Sequence, residues 1–492
     1  MYMARKAQRP FPSVNIFIIG LSFFSFTLSP FSPQVVSASA FKRLQLFSTE
    51  EAQPSSTSSV LSLSLHPHSS IIKLPYDNYS DLVLSRLASD RARAKLINSN
   101  IERAVSTFNR RHAVKPDVQV QPEDLKTPLT HSEGGYLARI GVGRPVKEFH
   151  LIADTGSQIT WLQCLPCDPC YEQSDPIFDP SGSSSFSPLS CASQECTSLG
   201  KNQNCKADPC TYKASYGDNF SSMGEFATET VSFGSSGSVD KVAIGCGHTN
   251  QGGFGGADGI LGLGGTPVGF PSQITATSFS YCLVDMDSNS SSSLEFNSTP
   301  PGDSVFVPLI INPRIEAYYY VELTGVTING EKVSIPASDY QIGEDGRGGI
   351  LVDSGTTITE FPTQVYYSVR DTFVKYARAL PPASGFDYGP VKLDTCYDLS
   401  SEPTDGYPTM SFEFHGGQTL SLRPANYLIR VDTSGKHCLA FTGSSERVSS
   451  ERVSIIGNIQ QQGMRVTYDL TNKRFSGEVD EMETEENKSR PE

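Results

Sequence analysis

Two short segments of the sequence carry a carboxylate that could act as a general acid or base. Leu151-Ile-Ala-Asp154-Thr-Gly-Ser157 is followed, 199 residues further on, by Leu351-Val-Asp353-Ser-Gly-Thr356. A single Asp-Thr-Gly is weak evidence, because Asp and Gly are common in any tight turn. In both segments, however, the Asp directly follows an apolar run and precedes a hydroxyl residue and a glycine. The repetition predicts two similarly built loops that present their carboxylates to one cleft.

Two such carboxylates can hydrolyse an amide without a covalent intermediate. Facing carboxyl groups about 3 Å apart cannot both ionise, so they share one proton and titrate at separated pKa values. The ionised Asp takes a proton from a water between the pair, while the protonated Asp donates to the carbonyl under attack. We therefore predict Asp154 and Asp353 as catalytic residues. The sequence does not assign the acid and the base at each step.

The composition and residue pattern of the body of the chain are typical of a β protein. Hydrophobic residues make up 37% and charged residues 19%, and 41 Gly and 32 Pro punctuate short apolar runs. Predicted strands cover 135–142, 148–153, 225–233, 242–245, 318–328 and 349–352, and the best helix covers 363–380. Asp258-Gly-Ile-Leu-Gly262 and Ser454-Ile-Ile-Gly457 each follow one acidic loop by about 100 residues. We expect an all-β, bilobal fold with minor helices.

From about Gly134 to Phe475 the sequence resembles the pepsin-type aspartic proteases, and more narrowly their plant nepenthesin-like branch. The motifs that carry the resemblance are DTGS at Asp154, DSGT at Asp353, Trp161, the YGD hairpin at Tyr216, the elements 260–262 and 455–457, the Cys-rich insert with FDP at Phe178, and GNIQQQ at 457–462. The sharing of one proton described above is the established behaviour of that family's dyad. The resemblance implies an aspartic endopeptidase active at acidic pH.

The resemblance also implies roles for residues around the dyad. Ser157 and Thr356 are expected to orient the carboxylates, and Gly156 and Gly355 to permit the sharp turns. Flap residues are expected at Tyr216 and Gly217, and Trp161 is expected to steady the flap. One departure follows YGD, where relatives carry Gly-Ser and this chain has Asn219-Phe220-Ser221, which is also a glycosylation sequon. Further sequons lie at Asn289 and Asn297, and we predict that Asn219 is little modified in active protein.

The first 40 residues are typical of a signal peptide, with basic residues at 5, 6 and 9, an apolar run over 14–28 and Ala38-Ser39-Ala40. Because no acidic residue precedes Glu50 and Ser is abundant, a chloroplast transit peptide is the alternative. The apolar run is short for a membrane span, and no other stretch approaches about 18 uninterrupted apolar residues. We expect a mature protein that is secreted to the apoplast or another extracellular space and has no membrane segment.

Residues 41–125 are predicted to be a prosegment. Its Ser-rich part, 41–80, is expected to be an irregular linker, and 81–111 a helix capped by Asp81. The expected apolar face contains Leu82, Leu84, Leu87, Leu96, Ile97, Ile101 and Val105, with Arg86, Arg91, Arg93, Lys95, Arg103, Arg110 and Arg111 around it. Such a helix is either a solvated surface element or an intramolecular inhibitor that leaves when acid neutralises the carboxylates it pairs with. Residues 1–125 carry a net charge of +5 and the remainder −19. The resemblance of the downstream chain to aspartic proteases favours the inhibitor.

The chain has eleven cysteines, an odd number for an oxidising compartment. The spacings at 164–170 and 191–210 also suit a metal site in a cytosolic protein, but the signal peptide favours disulfides, and we expect no metal or other cofactor. The resemblance implies the pairs Cys164–Cys167, Cys170–Cys246, Cys191–Cys210, Cys196–Cys205 and Cys396–Cys438. It leaves Cys282 as a predicted free thiol, because relatives pair this position with a C-terminal Cys that residues 477–492, a predicted acidic tail, lack.

These observations divide the chain and weigh its partners. After the prosegment we expect an N-terminal lobe at 126–312, with the Cys-rich insert 164–210, and a C-terminal lobe at 313–476. The net charge of −14 disfavours nucleic acid, and G-x-S-x-G, G-x-G-x-x-G and H-E-x-x-H motifs are absent from the sequence. The expected partners are protein or peptide substrates of a monomer. The alternative is a weakly active or inactive binding protein on the same scaffold, such as a xylanase inhibitor.

Overall fold

The structure is a computed structural model that describes residues 59–73, 76, 78–112, 135–216, 220–252, 254–299, 304–388, 391–401, 406–444 and 453–479. The predicted signal peptide lies outside the described residues, as do the predicted lobe start near 126 and most of the predicted tail. Gly217 and Asn219 also lie outside them.

The largest sheet has 14 strands among the described residues and runs through both predicted lobes. In the order in which they lie side by side, its strands are β12 (Val305–Pro308), β29 (Arg474–Val479), β28 (Met464–Asp469), β10 (Ser278–Cys282), β11 (Ser292–Phe296), β1 (Leu61–Pro67), β2 (Tyr136–Val142), β3 (Lys147–Asp154), β9 (Gly259–Gly262), β4 (Trp161–Gln163), β8 (Ser238–Gln251), β7 (Ser221–Ser232) and β5 (Ser187–Pro188), with β6 (Thr211–Ser215) paired to β7.

Four smaller sheets come from the C-terminal half. They are β13 (Tyr320–Val321), β16 (Ile350–Val352), β27 (Ser454–Ile456), β17 (Thr359–Phe361) and β26 (Phe441–Gly443); β15 (Glu331–Ser334), β14 (Leu323–Ile328), β22 (Met410–Phe414) and β23 (Thr419–Leu422); β18 (Pro382–Ala383), β21 (Cys396–Asp398), β25 (Lys436–Leu439) and β24 (Leu428–Arg430); and β19 (Phe386–Tyr388) with β20 (Val391–Leu393).

Helices are few among the described residues. They are α1 (His68–Ile71), α2 (Tyr79–His112), α3 (Gln194–Ser198), α4 (Phe270–Gln273), α5 (Ala337–Tyr340), α6 (Thr363–Tyr376) and α7 (Pro424–Tyr427). The sequence placed α6 at 363–380 and α2 at 81–111, so both were located with shifted ends. None of the helices in the described part of the chain is long and apolar enough to cross a membrane.

The internal repeat of the sequence is also a repeat of structure. β3 pairs in parallel with β9, which sets Asp154 opposite Gly262. In the C-terminal half β16 pairs in parallel with β27, which sets Val352 opposite Ile456. Buried aliphatic side chains fill both pairs, since strands covered on both faces favour continuous apolar runs. Each acidic loop therefore follows the end of a strand, and that strand is paired with the strand of a hydrophobic-hydrophobic-Gly element.

Two expectations about the ends of the chain need correction. The predicted linker 41–80 contains β1, whose Leu61, Leu63 and Leu65 alternate with Ser in the two-residue period of a strand. Residues 477–479 of the predicted tail belong to β29, which continues to Val479. The lobe boundary at 312 stays a prediction, and the main sheet includes strands from both sides of it, because β28 pairs with β10 of the N-terminal half.

Candidate active site

The two predicted catalytic carboxylates lie in loops with the same hydrogen bonds. Gly156 N–H donates to Asp154 Oδ1 at 2.9 Å, and the Ser157 hydroxyl donates to Asp154 Oδ2. In the second loop Gly355 N–H donates to Asp353 Oδ1 at 3.2 Å, and the Thr356 hydroxyl donates to Oδ2 at 2.7 Å. Each carboxylate is thus fixed by one backbone and one hydroxyl donor, as the sequence indicated for Ser157 and Thr356.

Each loop glycine leaves room for the carboxylate of the opposite loop. A Cβ built on Gly156 would stand 2.8 Å from Asp353 Oδ1, and one on Gly355 would stand 2.8 Å from Asp154 Oδ1. Real Cβ atoms do not approach an oxygen this closely, so any side chain at either position would push the loops apart. The two glycines therefore act through close approach of the loops as well as through the turn predicted from the sequence.

The middle residues of the two triplets, Thr155 and Ser354, lock the loops to each other. Ser354 N–H donates to Thr155 Oγ1 at 3.0 Å, and Thr155 N–H donates to Ser354 Oγ at 3.1 Å. Both side chains are buried, and a buried reciprocal pair of this kind strongly fixes geometry. In the sequence these residues were noted only as the hydroxyl residue after each Asp, and their role in joining the two loops was not predicted.

A guanidinium lies between the two carboxylates. Arg93 of α2 donates from Nε to Asp353 Oδ2 at 2.5 Å and from Nη2 to Asp353 Oδ1 at 2.8 Å. It donates from Nη1 to Asp154 Oδ2 at 3.0 Å and also from Nη2 to Asp154 Oδ1. The side chains of Asp154 and Asp353 are 2% and 0% exposed, and that of Arg93 is 17% exposed. The guanidinium of Arg93 thus donates two hydrogen bonds to each of the two carboxylates.

The bridge by Arg93 determines the electrostatics of the site. Burial alone would raise the pKa of Asp353, but the charge and hydrogen bonds of Arg93, with those from Thr356 and Gly355, outweigh burial and hold this pKa below its usual value. Burial disfavours the Arg93 cation, but Asp154 and Asp353 outweigh that effect and raise the pKa of Arg93 above its usual range. The presence of Arg93 therefore favours the ionised form of Asp353.

A third buried acid, Asp90, comes one helical turn before Arg93. Its Oδ1 accepts from Thr357 N–H at 2.7 Å and its Oδ2 from Ile358 N–H at 3.1 Å. Burial raises the pKa of Asp90 to about 7, although those hydrogen bonds and Arg93 act in the opposite direction. Asp90 thus anchors α2 to the segment that follows the second acidic loop.

The buried face of α2 differs from the predicted one. Leu87, Ile97, Ile101 and Val105 are buried as expected, but Leu82, Leu84 and Leu96 are only half-buried, and Val83, Ala88 and Ala94 complete the apolar contacts. The charged residues Arg86 and Asp90 are buried on this face. The prediction placed the cations around the apolar face, whereas Arg86 is buried on that face because part of the partner surface is a polar cleft.

The predicted flap lies close to the indole expected to steady it. β6 and β7 form its hairpin, and Tyr216 N–H donates to Phe220 O at 2.8 Å near the tip. Trp161 Nε1–H donates to Tyr216 Oη at 2.7 Å, and Phe254 packs against both rings. Gly217 and Asn219, which complete the predicted tip, lie outside the described residues.

Comparisons with known proteins agree with this geometry. Family models described as xylanase inhibitor N-terminal and xylanase inhibitor C-terminal match residues 136–297 and 318–476. Aspartyl protease family protein 2 of Arabidopsis thaliana is 40% identical over 401 residues, which cover 80% of both chains. The chain belongs to the pepsin-like aspartic proteases. Aspartic proteinase nepenthesin-2 of Nepenthes gracilis is 39% identical to this aspartic protease over 384 residues, which cover 76% of this chain and 84% of the relative.

Solved structures with the same fold include the crystal structure of edgp, with a TM-score of 0.56 at 19% identity over 74% of this chain and 94% of that one. Basic 7S globulin from soybean has a TM-score of 0.55 at 17% identity over 71% of this chain and 94% of that one. These likenesses show the fold alone. The predicted family, fold class and proteolytic activity are confirmed for this aspartic protease.

Four of the five disulfides implied by the resemblance are corrected in the aspartic protease. The structure pairs Cys164 with Cys246, Cys167 with Cys170, Cys191 with Cys205, and Cys196 with Cys210. The reason for the first is strand pairing: parallel β4 and β8 set Leu162 opposite Cys246, and just after β4 the Cys164 N–H donates to Gly247 O at 3.0 Å, which brings Cys164 close to Cys246. In the insert, Cys196 Sγ lies 3.5 Å from Cys205 Sγ without bonding to it. Cys396 and Cys438, opposite each other on β21 and β25, are paired as predicted.

The remaining predicted sites lie away from the dyad loops. The five disulfides use the ten cysteines other than Cys282, which is half-buried at the end of β10. Of the predicted glycosylation sites, Asn289 is exposed and Asn297 is half-buried. Asn297 Oδ1 accepts from the Thr277 N–H at 2.9 Å.

One further cluster of the aspartic protease has ligand atoms close enough for a cation. His150, Asp175 and Asp258 place these atoms within 4.8 Å of one another. The cluster is satisfied internally, since His150 Nδ1 lies 2.7 Å from Asp175 Oδ2 and His150 N–H donates to Asp258 Oδ2 at 2.6 Å. Burial raises the pKa of Asp258 to about 8. These internal hydrogen bonds make the cluster a support for β3, to which His150 belongs.

Proposed function

We propose that the chain is a secreted zymogen of an aspartic endopeptidase, in which helix α2 (Tyr79–His112) of the prosegment 41–125 inhibits the active site until acid releases it. The observation that carries the proposal is Arg93, whose guanidinium donates to both Asp154 and Asp353. A water and a scissile carbonyl need the position that this guanidinium occupies. While Arg93 remains there, no substrate can reach the carboxylates.

The pKa shift of Asp353 gives the direction of activation. Its pKa is lower in the blocked state than in an ordinary carboxyl, so ionised Asp353 stabilises the blocked state at neutral pH. That contribution is lost as the pH falls through the lowered pKa. Once Arg93 has left, the two facing carboxyls share one proton. Opening therefore takes up a proton, and acid favours the open protease.

In the open state Asp154 and Asp353 supply the acid and the base. The ionised carboxylate takes a proton from a water held between the pair, and the water oxygen attacks the peptide carbonyl carbon. The protonated carboxyl donates its proton to the carbonyl oxygen, which gives a neutral tetrahedral intermediate. Ser157 and Thr356 keep the outer oxygens oriented, while the Tyr216 hairpin covers the peptide. Proton transfer to the amide nitrogen then breaks the C–N bond.

The secreted destination is supported by the five disulfides of the folded chain, since disulfides persist in oxidising compartments. It is supported also by the signal-peptide pattern of residues 1–40, for which a chloroplast transit peptide is the alternative. Glycosylation at Asn289 or Asn297 would follow from passage through the secretory route. Peptide mapping of protein purified from plant tissue tests both points.

The test of the zymogen is acid incubation of the purified full-length chain, followed by N-terminal sequencing and assay on a denatured protein. We expect processing downstream of α2 at acidic pH, and activity that pepstatin blocks. Asp154→Asn and Asp353→Asn variants should neither process themselves nor cleave the substrate. Equal activity of the unprocessed chain at neutral and acidic pH would contradict the inhibitory role of α2. Absence of cleavage under all conditions would favour the binding-protein alternative.

A further inference from the structure

The N-terminal half of α2 lies along the cleft of the C-terminal lobe on one side of the dyad. Arg86, Asp90 and Arg93 follow one another on the same helix face, because a helix returns to a face after three, four and seven residues. Asp90 contacts Thr357 and Ile358 just after the second acidic loop. Arg86 and Arg93 are seven residues apart, or about 10 Å along a helix. The side chains of Arg86 and Arg93 therefore occupy two positions along one groove.

The side chain of Arg86 is more buried than any other cation that the structure describes in α2. It is 2% exposed, and its Nη1 contacts Met286 Sδ at 3.0 Å and Asp287 Oδ1 at 3.4 Å. Burial of a cation is costly unless a counter-charge lies nearby. The pocket that receives Arg86 is therefore built to hold a positive charge, and a cavity of about 350 Å³ adjoins it.

The loop that follows β10 supplies the counter-charge. Asp285 Oδ1 accepts from the Asp287 N–H at 2.8 Å, which fixes the position of Asp287. The Tyr79 hydroxyl donates to Asp287 Oδ2 at 2.5 Å, and Arg430 approaches the same oxygen at 3.9 Å. Tyr79 and Arg86 both belong to α2. When α2 leaves, Asp287 loses its contacts with Tyr79 and Arg86. Of the three partners named here, the more distant Arg430 remains.

We propose that the pocket of Arg86 becomes a subsite for a cationic side chain of the substrate, with Asp287 as its counter-charge. An extended peptide advances about 3.3 Å per residue, so the distance between the Arg93 and Arg86 positions corresponds to about three residues. The preferred Arg or Lys thus lies about three residues from the scissile bond, on one side of it. This inference rests on the proposed function, because it treats α2 as an occupant of the substrate cleft.

Arg430 sets the strength of the subsite. Its guanidinium stacks on the Tyr79 ring, 4.2 Å from the centroid, and this stacking partner leaves with α2. Arg430 is then available to approach Asp287 and compete with a substrate cation. Removing Arg430 should therefore strengthen the preference for a basic residue, whereas removing the charge of Asp287 should abolish it.

The experiment compares short peptides with a single cleavable bond, in which Arg or Gln occupies each position in turn on both sides of that bond. The acid-processed protein is assayed at about pH 5, and the ratio of kcat/KM for Arg over Gln is measured at every position. We expect a ratio of about fivefold at one position, two to four residues from the bond, as a partly exposed charge pair supports. In Asp287→Asn the ratio should fall to about one, and in Arg430→Gln it should rise.

Asp240→Asn is the matched control, because it removes one negative charge from an exposed ion pair with Arg144. This variant should keep the ratio of the unaltered protein. The opposite changes in Asp287→Asn and Arg430→Gln cannot both arise from misfolding. Cleavage without an Arg preference, or a preference that persists in Asp287→Asn, would overturn the subsite alone. If the unaltered protein cleaved no peptide, both the subsite and the proposed function would be overturned.

Discussion

Two elements of the proposed prosegment, α2 and β1, are held to the rest of the chain by different kinds of interaction. α2 is attached by charged groups in the cleft, above all Arg93 and Asp90, together with an apolar face. β1 is attached by backbone pairing to β11 on one side and β2 on the other, with Leu63 and Leu65 buried below. Charge pairs respond to protons, whereas backbone hydrogen bonds and buried leucines do not.

In the proposed zymogen, this difference lets acid open the active site without dismantling the fold. The contacts that block the dyad titrate, whereas the backbone hydrogen bonds and buried leucines of β1 do not; the titrating side chain of β1 is His66, whose pKa burial lowers. We therefore expect opening to be local to α2. Amide hydrogen exchange after a drop in pH should show lost protection in 79–112 and retained protection in 61–67.

The largest expected effect comes from Arg93→Met, which removes the cation that α2 contributes to the dyad. Breaking a buried pair by removing one partner costs about 3–5 kcal/mol, because it leaves uncompensated charge. We expect the blocked state to open near neutral pH and processing to begin there, as followed by electrophoresis over a pH series. Arg91→Met, an exposed position on the same helix, is the control. If processing of Arg93→Met kept the acid dependence of the unaltered protein, the electrostatic attachment of α2 to the dyad would be contradicted.

A second variant, Leu65→Ala, tests the attachment of β1 by backbone pairing and buried leucines. Leu65 is 1% exposed in the sheet, and truncation of a buried leucine costs about 2–5 kcal/mol of unfolding free energy. We expect a lower thermal midpoint of the full-length chain with the same pH of opening. The opening is measured by fluorescence of Trp161, the single tryptophan of the chain, which contacts the flap. A shift in the pH of opening would show that β1 and α2 are released together.

Asp90→Asn should change the number of protons taken up on opening. The pKa of Asp90 is about 7 in the blocked state and returns to its ordinary value once the side chain is exposed. Between about pH 4 and 7, Asp90 therefore releases a proton on opening, whereas the dyad takes one up. Without it, net uptake should rise by up to about one proton, so the opening becomes steeper in pH. The slope of the Trp161 transition measures this number. An unchanged or shallower slope would contradict the assignment.

The smallest expected effect is that of Asn78→Ala at the start of α2. Asn78 Oδ1 accepts from the Asp81 N–H at 3.0 Å, and its Nδ2 donates to Asp81 Oδ2 at 2.7 Å. Loss of such a cap costs about 1 kcal/mol. We expect opening at a slightly higher pH with an unchanged slope, and Asn78→Ser, which keeps a neutral acceptor for the Asp81 N–H, should shift the opening less than Asn78→Ala. No shift in either variant would mean that the first turn of α2 does not contribute to blocking.

The sequence predicted the features that repeat or alternate. The two acidic loops, their orienting hydroxyls and the elements that support them were found because each occurs twice in the same order. The strand at 61–67 was missed although Leu and Ser alternate there, because the Ser-rich composition of 41–80 indicated a linker. A strand supplied by a segment outside the two lobes has no local signal beyond that alternation, since its partners, β2 and β11, are remote in sequence.

Other features depended on partners that a single sequence does not specify. Arg93 was one of seven cations assigned to α2, and only the position of the helix along the cleft distinguishes it from Arg91. The disulfides of the insert involve sulfurs that lie near one another, so cysteine spacing and resemblance gave the right set of residues with several wrong pairs. Asp90 was not predicted because its partners are backbone N–H groups, which leave no trace in residue type.

The position of β28 and β29 in the main sheet has a consequence for the order in which the chain is made. β10 has β28 as one neighbour, yet about 180 residues separate the two strands, which at roughly 5–20 residues per second is about 10–40 s of translation. Until residues 464–479 leave the ribosome, the backbone of β10 remains an open edge, and open edges invite association with other chains. The nascent polypeptide therefore depends on chaperones longest at this edge, and a premature stop before Met464 would yield a product prone to aggregation rather than a smaller enzyme.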